Sequence, residues 1–338
     1  MNSYKHLREL VAIDSPSGFT KKAEDYCYHL LLNLGLKPSR TNKNAIRCSF
    51  NAKPSLAIAA HLDTLGAIVT GFNANGTLST SLIGSPSLNQ AEGEYVTIYT
   101  LDEKTFTGTY LLNNPAKHAN KSLGTTVRSI ENMHIRLDQE VNSVEDLKKL
   151  GIRIGDIICL DTRYQELESG FIKSRFMDNK AGCFVLFELA KKLKDTNAPV
   201  ELFFSNYEEV GHGGTCGYAE TIEELLVIDM GVIGDDCEGQ ETKCSICAKD
   251  STGPYDYEMR KKLSLLAEKN NIPHQIDVYP YYGSDGSAAL RAGNDFRVAL
   301  IGPGVSASHG VERTHKKGIE ATIDLCIAYI NELILRNK

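Results

Sequence analysis

The sequence contains no tryptophan, and none of its apolar runs approaches the roughly 18 residues that a bilayer-spanning helix needs. The short runs exclude a helical membrane protein. The missing tryptophan removes the residue that most often forms a flat platform for sugars. The first fourteen residues read as a polar amphipathic helix, without the basic start and apolar core of a secretory signal. Internal repeats and low-complexity tracts are absent. A basic excess is absent as well: 37 Lys and Arg face 43 Asp and Glu, and the resulting charge of −6 argues against nucleic acid as a partner. The nine cysteines form no even-numbered framework. Several lie in apolar runs, such as Cys183 in AGCFVLFELA and Cys326 in TIDLCIAYI, and read as reduced, buried residues of a cytoplasmic protein. Cys244 and Cys247 have C-x-x-C spacing, but KCSICAKD has the texture of a strand rather than a zinc knuckle.

What is present is the material of a globular enzyme-sized chain. Hydrophobic residues make up 42% of 338, enough for a full core, and the length predicts about two domains. Helical periodicity covers Lys5–Ile13 and Thr20–Leu34, and strands are expected at Asn44–Phe50 and Ser55–Ala60. The texture then changes. From about 65 to 162 the chain runs in short alternating segments: GAIVTGF, GTLSTSL, EYVTIYT, FTGTYLL, TTVRSI and MHIRLD, with turn signals such as Asn75-Gly76. A short helix is expected at Val144–Leu150 and a strand at Ile157–Leu160. After Ser174 strands and helices alternate to the closing helix Lys316–Leu335, the pattern of a mostly parallel sheet covered on both faces. The expected architecture is an α/β domain, residues 1–64 and 163–338, interrupted by a small β-barrel-like domain, residues 65–162.

In such sheets, sites form beyond the carboxyl ends of the strands. His61 and Asp63 follow SLAIAA, Glu208 and Glu209 follow VELFFSN, Asp229 ends ELLVID, and His309 follows RVALIGPG; Asp178 precedes a helix in RFMDNKAG. Singly, each has an ordinary structural reading, as a cap, a turn residue or a satisfied strand end. Together, two imidazoles and several carboxylates on one sheet edge suit a pair of zinc-class cations, as used in two-metal hydrolysis. Competing residues remain at this point: His315 for His309, and Asp235 or Asp236 for Asp229. Asp285, in YYGSDGSAA, offers either an anion-binding loop or a simple helix cap.

AHLDTLG, RFMDNKAG, EEVGHGG, LVIDM and ASHG, in this order, resemble the M42 family of metallo-aminopeptidases, members of the co-catalytic di-zinc exopeptidase clan that includes glutamyl and deblocking aminopeptidases. The resemblance spans nearly the whole chain. It implies His61, Asp178, Glu209, Asp229 and His309 as metal ligands, with Asp178 bridging. It implies Glu208 as general acid/base, Asp63 as the acceptor that orients the His61 imidazole, and a cis peptide at Asp178-Asn179. The expected cofactors are two divalent ions per subunit, zinc with cobalt or manganese as alternatives. Expected partners are peptides with a free N-terminus and further copies of the chain, from dimer to dodecamer, assembled through the β insert. The sequence departs from the family's habits at Thr64, His212 and Ala307-Ser308, which touches substrate preference and removes no ligand. Two other functions compete: an endoglucanase-like glycoside hydrolase, since paired carboxylates serve that chemistry too, and a non-catalytic assembly protein on the same fold.

Overall fold

The computed structural model describes residues 4–336. The expected first helix and the outer ends of the expected α/β domain extend to Met1–Ser3 and Asn337–Lys338, which lie outside that range. The chain divides into two compact units, Met1–Thr64 with Arg163–Lys338, and Leu65–Thr162. Among the described residues no helix is long and apolar enough to cross a membrane.

The larger unit is built on a mixed sheet. Its order is Ser39–Arg40, Ile46–Ser49, Val200–Ser205, Leu56–His61, Glu224–Ile228, Arg297–Val305, Cys244–Lys249, His274–Val278. The four strands from Val200–Ser205 to Arg297–Val305 are mutually parallel. Both central strands are buried along their whole length, and strand periodicity sorts their side chains into two cores. Leu56, Ile58 and Ala60 join Leu202, Phe204, Leu226 and Ile228 on one face, under the helices Lys21–Asn33, Met177–Leu193 and Lys316–Arg336. Ala57 and Ala59 join Phe203, Leu225, Val227 and Leu300 on the other face, where Ala289 of the short helix Asp285–Arg291 packs. Parallel register aligns Ser205 with His61 and Val227 with Ala59, so these strands finish side by side on one edge.

Most expected elements are present with ends shifted by one to three residues. The helix expected from Ala181 starts formally at Met177, but Asp178 and Asn179 have non-helical angles, so regular helix follows them. A small three-stranded sheet, Gln165–Glu166, Phe171–Ser174 and Glu312–His315, was not anticipated. Its strands are two to four residues long and too polar to show a period. It matters to the site, because pairing Ser174 with Glu312 draws the segments carrying Asp178 and His309 together.

The smaller unit is a closed six-stranded barrel ordered Gly66–Phe72, Leu78–Ile83, Met133–Leu137, Thr105–Leu112, Tyr95–Tyr99, Ile157–Leu160, and sealed where Ala67 pairs with Ile158. Asn75-Gly76 forms the first hairpin turn, with Gly76 at φ 78°. TTVRSI is not a strand. It is an exposed loop that Arg128 ties to Glu92 and to the carbonyls of Leu123 and Thr126.

The close approach of the strands at the site edge generates a prediction. A Cβ at Gly302 would overlap the carbonyl of Asp229, whose own N–H donates to Ile301. Gly302→Ala should destabilise by about 1–3 kcal/mol, as overpacking does, and lower Tm by roughly 2–10 °C in a unit of this size. Gly124→Ala, with nothing near the added methyl, should leave Tm unchanged. Paired thermal melts check both.

Candidate metal centre and active site

The strand edge gathers the seven expected residues. His61 is the last residue of its strand and is buried at 1% exposure. Its Nδ1 lies 2.9 Å from the carbonyl oxygen of Asp63, an atom that only accepts, so Nδ1 donates and Nε2 is the nitrogen presented to the site. Nε2 stands 3.1 Å from Asp178 Oδ1, 3.7 Å from Glu208 Oε2 and 3.9 Å from Asp229 Oδ2. The second imidazole, His309, places Nε2 3.8 Å from Asp178 Oδ2 and 3.8 Å from Glu209 Oε2. Asp178 therefore turns one oxygen to each imidazole. His309, with a third of its side chain exposed, marks the solvent side.

Main-chain geometry holds these groups. Four of the non-glycine residues with left-handed backbone, Phe176, Tyr207, Ala307 and His309, lie at or beside the turns that carry Asp178, Glu208 and His309, a concentration of strain common at functional sites. The Asp178-Asn179 peptide is cis. Asn179 donates to the Ile228 carbonyl at 2.7 Å and accepts from Gly182 N–H at 3.1 Å, linking this turn to the strand that precedes Asp229.

Asp63 meets His61 Nδ1 with two acceptors, its carbonyl at 2.9 Å and its carboxylate at 3.6 Å. The carboxylate accepts the N–H groups of Glu208 (3.1 Å) and Glu209 (3.2 Å) and the hydroxyl of Ser17. It thus fixes the turn from which both glutamates project. Glu312, which no sequence signal singled out, does the same for the other pair. Buried at 2% exposure, it accepts N–H groups from Asp178 and His309, each at 3.0 Å. The competing residues fall elsewhere. Both ring nitrogens of His315 are engaged, with Ser169 O and Lys317 N, and Asp235 and Asp236 are exposed. Cys244 and Cys247 sit in a buried strand. Asp285 is buried, accepts from Ser205 Oγ and leaves its Oδ1 without a partner.

The electrostatics follow from crowding. Burial, then neighbouring carboxylates, pushes Glu208, Glu209 and Asp229 well above the ordinary carboxyl range. For Asp178 burial acts in the same direction, yet the two imidazoles hold it below its usual value. Asp63 is also held low, by His61, Ser17 and the Glu208 N–H, against its burial. His61 is raised despite burial, by Asp178, Asp63, Glu208 and Asp229. One ligand atom each from His61, Asp178 and Glu209 fall within 4.8 Å of one another, and Glu209 Oε1 is buried without a hydrogen bond. Hard and borderline donors converge here with an orphaned oxygen among them, which is the donor chemistry of a zinc-class site.

Comparison with known proteins agrees with this geometry. The M42 glutamyl aminopeptidase family model matches residues 44–325. The chain belongs to the M42 family. It is 41% identical to YhfE of Bacillus subtilis across 96% of both chains, and 26% identical to a glutamyl aminopeptidase of Lactococcus lactis across 63% of this chain and 62% of that one. Among solved structures, the TET1 peptidase of Pyrococcus horikoshii, described as assembling into a tetrahedron or a large octahedral shell, superposes with a TM-score of 0.86 at 19% identity, covering 97% of this chain and 99% of that one. At that identity the likeness speaks for the fold.

A prediction follows from the protonation pattern of this M42 site. Carboxyls and an imidazole raised in this way hold their protons to higher pH than the free groups do, and an incoming cation displaces them. Zinc binding at pH 7 should therefore release about one proton or more, and affinity should rise with pH. Titration calorimetry in buffers of different ionisation enthalpy reads this directly. A binding enthalpy independent of buffer would contradict it.

Proposed function

We propose that the protein is a metal-dependent aminopeptidase that removes N-terminal residues from peptides. The observation that carries the reading is Asp178, whose two oxygens face His61 and His309 separately. That arrangement suits one cation held by His61, Asp178 and Asp229, and a second held by His309, Asp178 and Glu209. Zinc is the expected ion, with cobalt and manganese as alternatives. Bound there, a cation pair polarises the scissile carbonyl and lowers the pKa of water toward neutrality.

The rest of the chemistry belongs to side chains of this chain. Glu208 and Glu209 are adjacent, yet Glu208 Oε2 lies 3.7 Å from His61 Nε2 while Glu209, within 4.8 Å of His61, also reaches His309 Nε2 at 3.8 Å. Glu208 keeps 17% of its side chain exposed against 4% for Glu209, so it is the one that meets entering water and peptide. Its raised pKa matches a group that takes a proton from the attacking water and returns it to the leaving amine. Asp63 holds Glu208 in place through the peptide N–H, and Asp229, anchored by the Met230 N–H at 2.6 Å, closes the inner wall. A glycoside hydrolase has no task for two imidazoles sharing one carboxylate. A purely structural protein has no need to keep all seven residues on one edge.

Self-association is part of the proposal. The barrel is closed, so it does not rest on open strand edges. What supports association is apolar exposure on the barrel unit: Leu101 is 75% exposed and Ile154 67%. The loops that carry them are joined by an Asp102–Arg153 ion pair and the Leu101 N–H to Asp156 bond. Solved relatives described as dodecamers and shells point the same way.

Initial rates on aminoacyl p-nitroanilides with added zinc, cobalt or manganese test the activity. Glu208→Gln should lower kcat by about 10²–10⁴-fold with both ions retained. Glu209→Gln should lose one ion per subunit and recover partly in excess metal. If Glu208→Gln loses metal and Glu209→Gln keeps both, the two roles are reversed. For assembly, sedimentation should show an oligomer at micromolar concentration that Leu101→Asp with Ile154→Asp dissociates. A monomeric wild type would dismiss it.

A further inference from the structure

Lys180 is the one lysine that is buried among the described residues, at 0% exposure, and the aminopeptidase reading gives it no task. A buried amine costs stability unless it is hydrogen-bonded. Lys180 follows the non-helical pair Asp178 and Asn179, and its N–H donates to the Phe176 carbonyl at 3.1 Å, so its backbone belongs to the Asp178 turn. Its side chain leaves that turn for a distant stretch of chain, where Nζ lies 2.6 Å from Ser15 Oγ. The direction of this bond is fixed. The Ser15 hydroxyl donates to the Leu62 carbonyl at 2.9 Å, an atom that only accepts, so Ser15 Oγ receives from Lys180.

Ser15 begins a short strap laid along the turn that follows the strand Leu56–His61. The Ser15 carbonyl accepts from Thr64 N–H at 2.9 Å, and Ser17 N–H donates to the Thr64 carbonyl at 3.2 Å. The Ser17 hydroxyl donates to the Asp63 carboxylate, which also accepts the Glu208 and Glu209 N–H groups at 3.1 and 3.2 Å. Hydrogen bonds and the short strap thus run from the Asp178 turn, through Lys180 and Ser15, to the turn that carries both glutamates. Asp63 joins the His61 turn to the glutamate turn, and Glu312 joins the Asp178 turn to the His309 loop. The joint between the Asp178 turn and the His61 turn falls to Lys180, with a weaker thiol bond from Cys183 to the His61 carbonyl at 3.0 Å beside it.

We propose that Lys180 is a positioning residue for hydrolysis: through Ser15 it holds the His61–Thr64 turn, and through Ser17 and Asp63 the Glu208 carboxylate, in register with Asp178. The inference rests on the aminopeptidase reading and adds a residue to it. The role needs no contact between Lys180 and peptide or metal, and no bond to Lys180 forms or breaks. Its nitrogen carries N–H groups whether protonated or neutral, so the role does not depend on its ionisation.

Lys180→Met keeps a long unbranched side chain and removes the donor. With metal bound, its kcat should fall about 10²-fold, the cost of misplacing a reacting group by roughly 1 Å, while KM changes by less than about threefold. Metal per subunit should equal that of wild type. Ser15→Ala breaks the same path one step later, so its kcat should fall at least about tenfold, and the double variant should be no slower than the slower single variant. Hydrogen exchange on the metal-free protein gives a readout apart from activity. In Lys180→Met the amides of Thr64, Glu208 and Glu209 should exchange at least about tenfold faster. Those of Cys244–Lys249, three strands from Leu56–His61 in the sheet, should keep their wild-type rates. Faster exchange in every segment alike overturns the proposal, and so do rate losses that multiply in the double variant, because the first marks a general structural role and the second two separate ones. If Lys180→Met fails to fold, Ser15→Ala carries the test, and unchanged kcat and exchange in it overturn the proposal. A wild type inert towards every anilide with every ion overturns the aminopeptidase reading and this proposal with it. An active wild type alongside an equally active Lys180→Met overturns this proposal alone.

Discussion

Concentrated negative charge in a space largely closed to water is the constraint on which this structure turns. Asp63, Asp178, Asp229 and Glu312 are nearly inaccessible, and Glu209 scarcely less so. An unpaired buried carboxylate is unstable unless it is protonated, hydrogen-bonded or paired with a cation. Asp63 is satisfied by three donors and stays ionised. Asp178 is satisfied by two imidazoles. Glu208, Glu209 and Asp229 have only a more distant imidazole, 3.7–3.9 Å away, with the Met230 N–H added for Asp229, and their acidity is suppressed accordingly. The protein keeps them together where simple stability would separate them, which is the pattern expected where stability yields to function.

The fold meets that constraint with short backbone devices at the ends of long strands. Four parallel strands, buried on both faces, end at one edge and deliver His61, the glutamate pair, Asp229 and the His309 loop from stretches far apart in sequence. The barrel insertion leaves this register intact because Thr64, where the chain departs, is bonded to Ser15 and Ser17 in the same unit. Two carboxylates then act as clamps. Asp63 joins the end of one strand to the turn after its neighbour, and Glu312 joins the Asp178 turn to the His309 loop. Each accepts two backbone N–H groups, with the Ser17 hydroxyl added at Asp63, so the geometry is set largely by peptides.

Much of this was legible in the sequence, for a physical reason. Continuous apolar runs such as SLAIAA mark strands buried on both faces, and a polar residue at the end of such a run lies at the sheet edge by necessity. That logic finds His61, Glu208, Glu209 and Asp229. It misses Glu312, whose surroundings VERTH have no period and whose partners are backbone groups with no sequence signature. It is silent on the second task of Asp63 for a related reason: the Glu208 and Glu209 N–H groups that its carboxylate accepts lie on the turn after the neighbouring strand. TTVRSI alternates like a strand, but Arg128 gathers it into a loop with bonds no pattern encodes.

The division of labour between two identical side chains shows how far the backbone decides chemistry. Glu208 and Glu209 have the same acid group and follow the same strand. Tyr207, left-handed at φ 66°, bends the chain out of that strand, and Gly211 at φ 78° turns it again two residues after Glu209. Between these bends Asp63 receives both N–H groups, which fixes the peptide planes and places Glu208 Oε2 near His61 and Glu209 Oε2 near His309. Gly213 seals the arrangement: a Cβ there would strike the Glu208 backbone and the Asp285 carboxylate. His212 and Ala307, two of the positions where the sequence departs from the habits of its family, are exposed. Their side chains reach solvent and take no part in the hydrogen bonds by which Asp63 and Glu312 fix the two turns.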